Sequence, residues 1–497
     1  MMRIPASFVF FLTFFFSSIS AQVSQNLNLQ SVWHDPSLPV HSGLIYNEVW
    51  GFNYKYSEYA ILGSAGFTHF IDVTDPTAPQ EVARFAGAVN SIWRDFKTFG
   101  HYAYGVADET SQSSPSGLQI FDYSGLPSSI VKVYDSNAIV ERAHNIFIDE
   151  QAGRLYIAGS NTRPNGIIVL DLASDPANPA VLASVNLPGG YVHDVYVRNN
   201  IAYCSHGFNG LYIYDMTVPT SPALIGNLTS YPNQGYNHSS WLTDDGNFLV
   251  FADESFGRPL RILDITDLSN LTIVSTFKSH LSGPPTANSI PHNPLVRGDY
   301  AFVSYYQDGI QIYNIRDVVA PEKVAWYDTD TTNLTYTGYD GAWGVYPFLP
   351  SHNILGSDQY FGLFVLEFDD LKPAYTNINQ DFSLNDTVFA DIVRKPENNR
   401  LDFPRPDNDN FYVEKSSVRL FPNPVDADQH LSILISSEEP DVYASAIYDF
   451  QGKCIMKGPS IGSGQPVLFP TAGITPGVYV LVLEGEKHQS RKKLVIR

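Results

Sequence analysis

The sequence predicts an all-β protein, a seven-bladed β-propeller followed by a small C-terminal β-sandwich. Three observations carry that expectation. The first is a strand pattern, mostly glycine-led, that recurs at Gly66–Val73, Gly117–Asp122, Gly166–Leu172, Gly210–Asp215, Pro259–Ile265, Gly309–Ile315 and Gly362–Glu367. The second is an upstream partner for each copy. These partners begin at Asn47-Glu48-Val49-Trp50, Asn90-Ser91-Ile92-Trp93, His144-Asn145-Ile146-Phe147, His193-Asp194-Val195-Tyr196, His238-Ser239-Ser240-Trp241, His292-Asn293-Pro294-Leu295 and Asp340-Gly341-Ala342-Trp343. A second strand follows each, and after several copies a proline turn such as Thr74-Asp75-Pro76 leads to a fourth. Four antiparallel strands at a period of roughly 50 residues describe a propeller blade, whereas a solenoid needs a parallel coil and shorter periods. The third is composition: 30 Tyr and 31 Phe suit half-buried pleated sheets, and helical periodicity is scarce.

Each segment has its own reason. Residues 1–21 read as a secretory signal: Arg3, the apolar run Phe8–Phe16, then small residues to Ala21. That run is too short to span a membrane, and no other run approaches the roughly 18 apolar residues a span needs. The mature chain is therefore expected to carry no transmembrane segment. Residues 22–368 hold the propeller. Leu27–Trp33 is a strand without a blade, and the seventh blade ends at Glu367-Phe368 without a fourth strand. Pairing the two removes both open edges. Residues 369–415 are rich in Asn, Asp and Pro and read as a polar linker. Residues 416–497 hold short β-type runs, Leu431–Ile435 and Val478–Leu483, after an Asn423-Pro424 turn.

That last segment also resembles a known family. Leu420-Phe421-Pro422-Asn423-Pro424-Val425, Ile447–Lys453, Gly473–Val480 and the basic finish Arg491-Lys492-Lys493 stand in the order of a type A C-terminal sorting domain of the type IX secretion system of Bacteroidetes. The resemblance implies an address: recognition by the type IX machinery, passage from periplasm through the outer membrane, then surface attachment or release. The repeat resembles the LVIVD repeat. Tyr191–Val195, Asn237–Asp245, Phe251–Glu254 and Gly341–Phe348 make the arrangement similar to choice-of-anchor B family proteins. That resemblance implies a shared body with an exchangeable anchor and brings no catalytic residue. The second copy departs from the pattern, because Phe121–Pro127 lacks the Thr-Asp-Pro turn.

Charge narrows the partners. Thirty Lys and Arg against 51 Asp and Glu give a net charge of −21. Nucleic acid and anionic membrane surfaces both need basic patches, so neither is expected as a partner. The two cysteines, Cys204 and Cys454, fall in different domains and are not expected to pair.

Strand direction gives the site. In an antiparallel blade the first strand starts on the face where the second ends. Four histidines open first strands of consecutive blades: His144, His193, His238 and His292, with Asp340 opening the last. The acids Asp108, Glu109, Asp253 and Glu254 close second strands on that same face. Such a set can hold a divalent metal or an amine- or hydroxyl-bearing ligand. Polar groups at one place in every blade can equally tie blade to blade. No nucleophile–base spacing or complete metal motif accompanies them. The expectation is an extracellular binding module for a protein, glycan or small ligand. The alternative is an extracellular hydrolase or lyase using this His/acid face with a metal.

Overall fold

The computed structural model describes residues 24–371, apart from 56, 88, 110–115, 280, 282–287 and 332–335, together with parts of 416–496. The expected signal and most of the expected linker lie outside the described residues, as does the Asn423-Pro424 turn. The chain divides into two compact units, the blades and the C-terminal strands.

The first unit is a seven-bladed propeller, each blade a sheet of antiparallel strands, taken in chain order in the first five. The fourth blade is representative: Asp194–Arg198, Ile201–Ser205, Leu211–Asp215 and Ala223–Leu228. Its inner strands read Val-Tyr-Val, Ala-Tyr-Cys and Tyr-Ile-Tyr, residues that fit a pleat buried on both faces. Apolar side chains of adjacent blades mesh. Ile157 and Leu170 join Tyr104 and Ile120, for example, and Val169 joins Val195 and Cys204. Burying such side chains contributes about 1.5–3 kcal/mol each. The core is thus a ring of inter-blade layers.

Repeat residues have local causes. In five blades an Asp ends the third strand and caps the turn after it: Asp72, Asp122, Asp171, Asp215 and Asp264 each accept a backbone N–H two residues on, as Asn314 does in the sixth blade. The leading glycine stands against the fourth strand. At Gly309 φ is +68°, and a Cβ there would run into the carbonyl oxygen of Tyr327.

A register shift interrupts the pairing of third and fourth strands in all seven blades. Each shift is a local bulge, which bends and twists the outer strand. In the seventh blade the partner is the N-terminal strand Asn28–Trp33, which pairs antiparallel with Gly362–Glu367. Its shift between Leu29 and Ser31 repeats the break seen in the other six blades. Ser24–Gln25 goes further and adds a fifth strand to the sixth blade, beside Trp326 and Tyr327.

The second unit pairs Ser416–Phe421, His430–Ser437 and Val467–Pro470 in one sheet. The other sheet holds Val442–Tyr448, Cys454–Lys457, Gly477–Glu484 and Gln489–Ile496. Leu431, Ile433, Tyr443, Ile447, Phe469, Leu481 and Leu494 form their common core. No helix among the described residues is long and apolar enough to cross a membrane.

Candidate functional site

The first strands surround the propeller axis, and alternate residues along them face a central cavity of about 70 Å³. The residues come in layers. A polar layer holds Glu48, Asp95, Asn145, Asp194 and Asn293. An aromatic layer follows with Trp50, Phe147, Tyr196 and Trp241. Asn145 stitches three blades together: its Nδ2 donates to Asp95 at 2.9 Å and to Asp194 at 2.7 Å, while its Oδ1 accepts from Val195 N at 3.0 Å. Here the polar side chains do tie the blades. Lys97 Nζ donates to Asp95 Oδ1 at 2.6 Å, whereas Arg94, the other cation of the lining, donates to the backbone carbonyls of Ser64 and Ala65. Withdrawal from water, and then the charge of Asp95, push the Glu48 carboxyl up to about 8. The same causes, opposed by Lys97, push Asp194 up to about 7.

Immediately before these layers, at the strand openings, stand the histidines. Ring centroids run 4.2 Å from His144 to His193, 4.5 Å from His193 to His238 and 4.4 Å from His238 to His292. His193, His238 and His292 are buried. Burial, together with neighbouring imidazoles, holds His193 and His238 well below the usual histidine range. Burial takes His292 down to about 3. Burial opposes charge on His144 as well, but the hydrogen bond and charge of Asp108 outweigh it and raise the group. Three neutral imidazoles therefore lie beside one that is readily charged. Glu254 closes the group, with Oε2 3.7 Å from His238 Nε2 and Oε1 4.0 Å from His292 Nε2. Its withdrawal from water raises it to about 7, against the hydrogen bond from Tyr306.

A second cavity, of about 450 Å³, lies on this face. His144, His193, Asp108 and Glu254 line it, with Trp93, Tyr191, Phe208, Tyr236, Ser255 and Tyr339. His238 and His292 border the central cavity instead. Phe208 is 74% exposed and packs edge-on against Tyr236 at 5.1 Å. Tyr236 in turn meets the His193 ring at 5.1 Å.

Each acid pair expected at the site is divided. Asp108 and Glu254 reach the cavity, while Asp253 and Glu109 do not. Asp253 is fully buried between Arg261 Nη1 at 2.9 Å, Tyr231 Oη at 2.8 Å and Gly235 N at 2.7 Å. Glu109 meets His41 Nε2 at 2.7 Å. Consecutive residues of an extended chain point to opposite faces, so only one of each pair can face the cavity. Asp340 lies outside it as well, within 3.5 Å of Gln307 Nε2. The aromatic wall was missed by sequence reasoning. Its signal was present as Gly190-Tyr191, Gly207-Phe208, Gly235-Tyr236 and Gly338-Tyr339, four glycine–aromatic pairs in the loops of one face.

Comparison with known proteins agrees with the two-unit organisation. Residues 419–497 match the secretion system C-terminal sorting domain. Residues 189–230 match the LVIVD repeat. The sorting domain indicates export to the cell surface or beyond and engagement of the type IX secretion machinery. None of the curated proteins matches the chain. Among solved structures, a Lactobacillus plantarum protein is 13% identical, with 63% of this chain and 88% of that one covered, at a TM-score of 0.47. The computationally designed Ika8 protein is 9% identical, with coverages of 66% and 98% and a TM-score of 0.42. PorZ, a bacterial surface component of the type-IX secretion system of Porphyromonas gingivalis, is 11% identical at a TM-score of 0.47. The match covers 93% of this chain and 61% of PorZ.

Proposed function

We propose that this protein is a non-enzymatic binding module, delivered by the type IX route to the cell surface or the medium, that takes a sugar ring of a glycan on its histidine face. The proposed route begins with residues 1–21 as a signal into the periplasm. One observation carries the binding reading: the 450 Å³ cavity combines an aromatic wall of Tyr191, Phe208, Tyr236 and Tyr339 with carboxylate and imidazole groups. The volume falls in the range of about 300–1,000 Å³ in which small-molecule sites lie. Aromatic faces accept the apolar C–H face of a sugar ring, and Asp108, Glu254 and Ser255 accept or donate to its hydroxyls. The test is a glycan array with the purified full chain, followed by calorimetry on each hit. Phe208→Ala combined with Tyr236→Ala should weaken binding by about tenfold or more, since each ring contributes roughly 0.5–1.5 kcal/mol beyond its buried area. Phe208→Ala alone should leave the melting temperature unchanged, because Phe208 is largely exposed. Retention of no glycan, or undiminished binding by the double variant, refutes the reading.

A second reading has its own support. The histidine row beside Glu254 is the arrangement a metal-dependent hydrolase or lyase uses. Turnover of a bound glycan, detected as released product, would replace the first reading with this one.

A further inference from the structure

We infer that His238, His292 and Glu254 bind one divalent transition-metal ion between the two cavities. One ligand atom from each of the three lies within 4.8 Å of the others. The imidazole–carboxylate separations are 3.7 and 4.0 Å. Ligand atoms about 2.0–2.1 Å from a tetrahedral zinc stand roughly 3.4 Å apart, so the two imidazole–carboxylate separations need to contract by roughly 0.3–0.6 Å for the ion to be held. Side-chain adjustment supplies that movement without displacing a strand.

The groups behind the ligands are set for the task. His292 Nδ1–H donates to the Trp343 carbonyl oxygen at 2.5 Å, which leaves the Nε2 lone pair turned toward Glu254. Glu254 Oε1 accepts from Tyr306 Oη at 2.5 Å, which fixes the carboxylate. Metal-binding histidines and carboxylates are commonly oriented by such outer partners. His193 and His238 each keep a buried Nδ1 without a hydrogen-bond partner. The atom that His238 turns toward Glu254 is the other ring nitrogen, Nε2. Glu254 also lines the larger cavity. A coordination position on that side is therefore accessible to a hydroxyl or water.

The ligand set selects the metal. Calcium and magnesium require about six or more oxygen ligands, most of which are missing here. Two imidazoles and one carboxylate suit Zn²⁺, Ni²⁺, Cu²⁺ or Fe²⁺. A competing triad, His144, His193 and His238, has the same spacing. In it His144 already engages Asp108 Oδ2 at 3.3 Å through Nδ1. The carboxylate-bearing triad is the one with a charge to complement the ion.

The inference shares a face with the glycan reading but is tested without any glycan, so either can fail alone. The full chain, purified without a histidine tag and stripped with a chelator, is titrated with Zn²⁺, and with Ca²⁺ and Mg²⁺ as controls. One Zn²⁺ per chain should bind, with neither control competing. Co²⁺ in its place should give visible d–d bands, which report nitrogen and oxygen ligation in the unmutated protein. His292→Gln and Glu254→Gln should each weaken Zn²⁺ by at least about tenfold, the loss that even an outer-shell change produces. His144→Gln should leave the affinity unchanged. Near-ultraviolet circular dichroism identifies any variant that fails to fold, and the Co²⁺ spectrum shows without variants whether a nitrogen and oxygen site exists. Absence of Zn²⁺ binding or of the Co²⁺ bands overturns the inference. So does unchanged affinity in both His292→Gln and Glu254→Gln, or a loss confined to His144→Gln.

Discussion

Arg261 and Asp253 are both fully buried, and their fates are joined. The guanidinium donates to Asp253 Oδ2, to the Pro259 carbonyl at 3.0 Å and to the Pro232 carbonyl at 3.1 Å. It also lies 4.8 Å from the centroid of the Tyr231 ring. Acceptors and a π face meet both Nη groups, as a buried guanidinium requires, while its Nε is buried without a hydrogen-bond partner. Arg261→Leu leaves Asp253 charged and unpaired in the interior. It should cost about 3–5 kcal/mol, the usual loss on breaking a buried pair, and chemical denaturation read by tryptophan fluorescence would measure it. A loss under about 1 kcal/mol would show that Asp253 is satisfied without the pair. The sequence showed the acid but not its direction. Asp253 and Glu254 look alike there, and only the pleat decides that one serves the fold and the other the cavity. The histidines were legible because they open strands at a repeated place. The aromatic wall was not, because its glycine–aromatic pairs fall in loops, where no strand or helix period marks them.

Among elements, the inner strands carry a conflict of their own. They bring Glu48, Asp95 and Asp194 together, with Lys97 bound to Asp95. The Glu48 carboxyl ordinarily titrates near 4.5 and here stands at about 8. A carboxyl whose folded value is raised binds its proton more tightly when folded. The folded state is therefore favoured at low pH and loses stability as pH climbs from about 4.5 toward 8. Glu48→Gln removes this dependence. Melting temperatures of the two proteins should converge near pH 5 and separate by pH 8.5, with the variant more stable. Parallel curves across that interval would show that Glu48 titrates normally. Most other features of the blades could be read in advance. The Asp that ends five of the third strands and the glycine that opens all but the fifth serve backbone geometry, so they mark the repeat in sequence. The outer-strand bulge left no such mark, since many residue types accommodate it.

For the whole molecule, the decisive element is the short N-terminal strand. Its unpaired state and the incomplete seventh blade were both visible in the sequence, and the two meet as Asn28–Trp33 on Gly362–Glu367. The extra pairing of Ser24–Gln25 with the sixth blade was not visible, because two residues carry no periodicity. Deleting residues 22–35 exposes the edge of Gly362–Glu367 and should lower the melting temperature of the whole propeller. Calorimetry would detect it, and an unchanged transition would show that the ring holds without its seam. The pairing also orders events in time. Gln30 Nε2 donates to Glu367 Oε2 at 2.8 Å across 337 positions of chain. Closing so long a loop is slow and entropically costly, and no earlier blade can take the place of the last. A chain still being made can stack its blades into an open arc but cannot lock it. The lock forms only when residue 367 arrives.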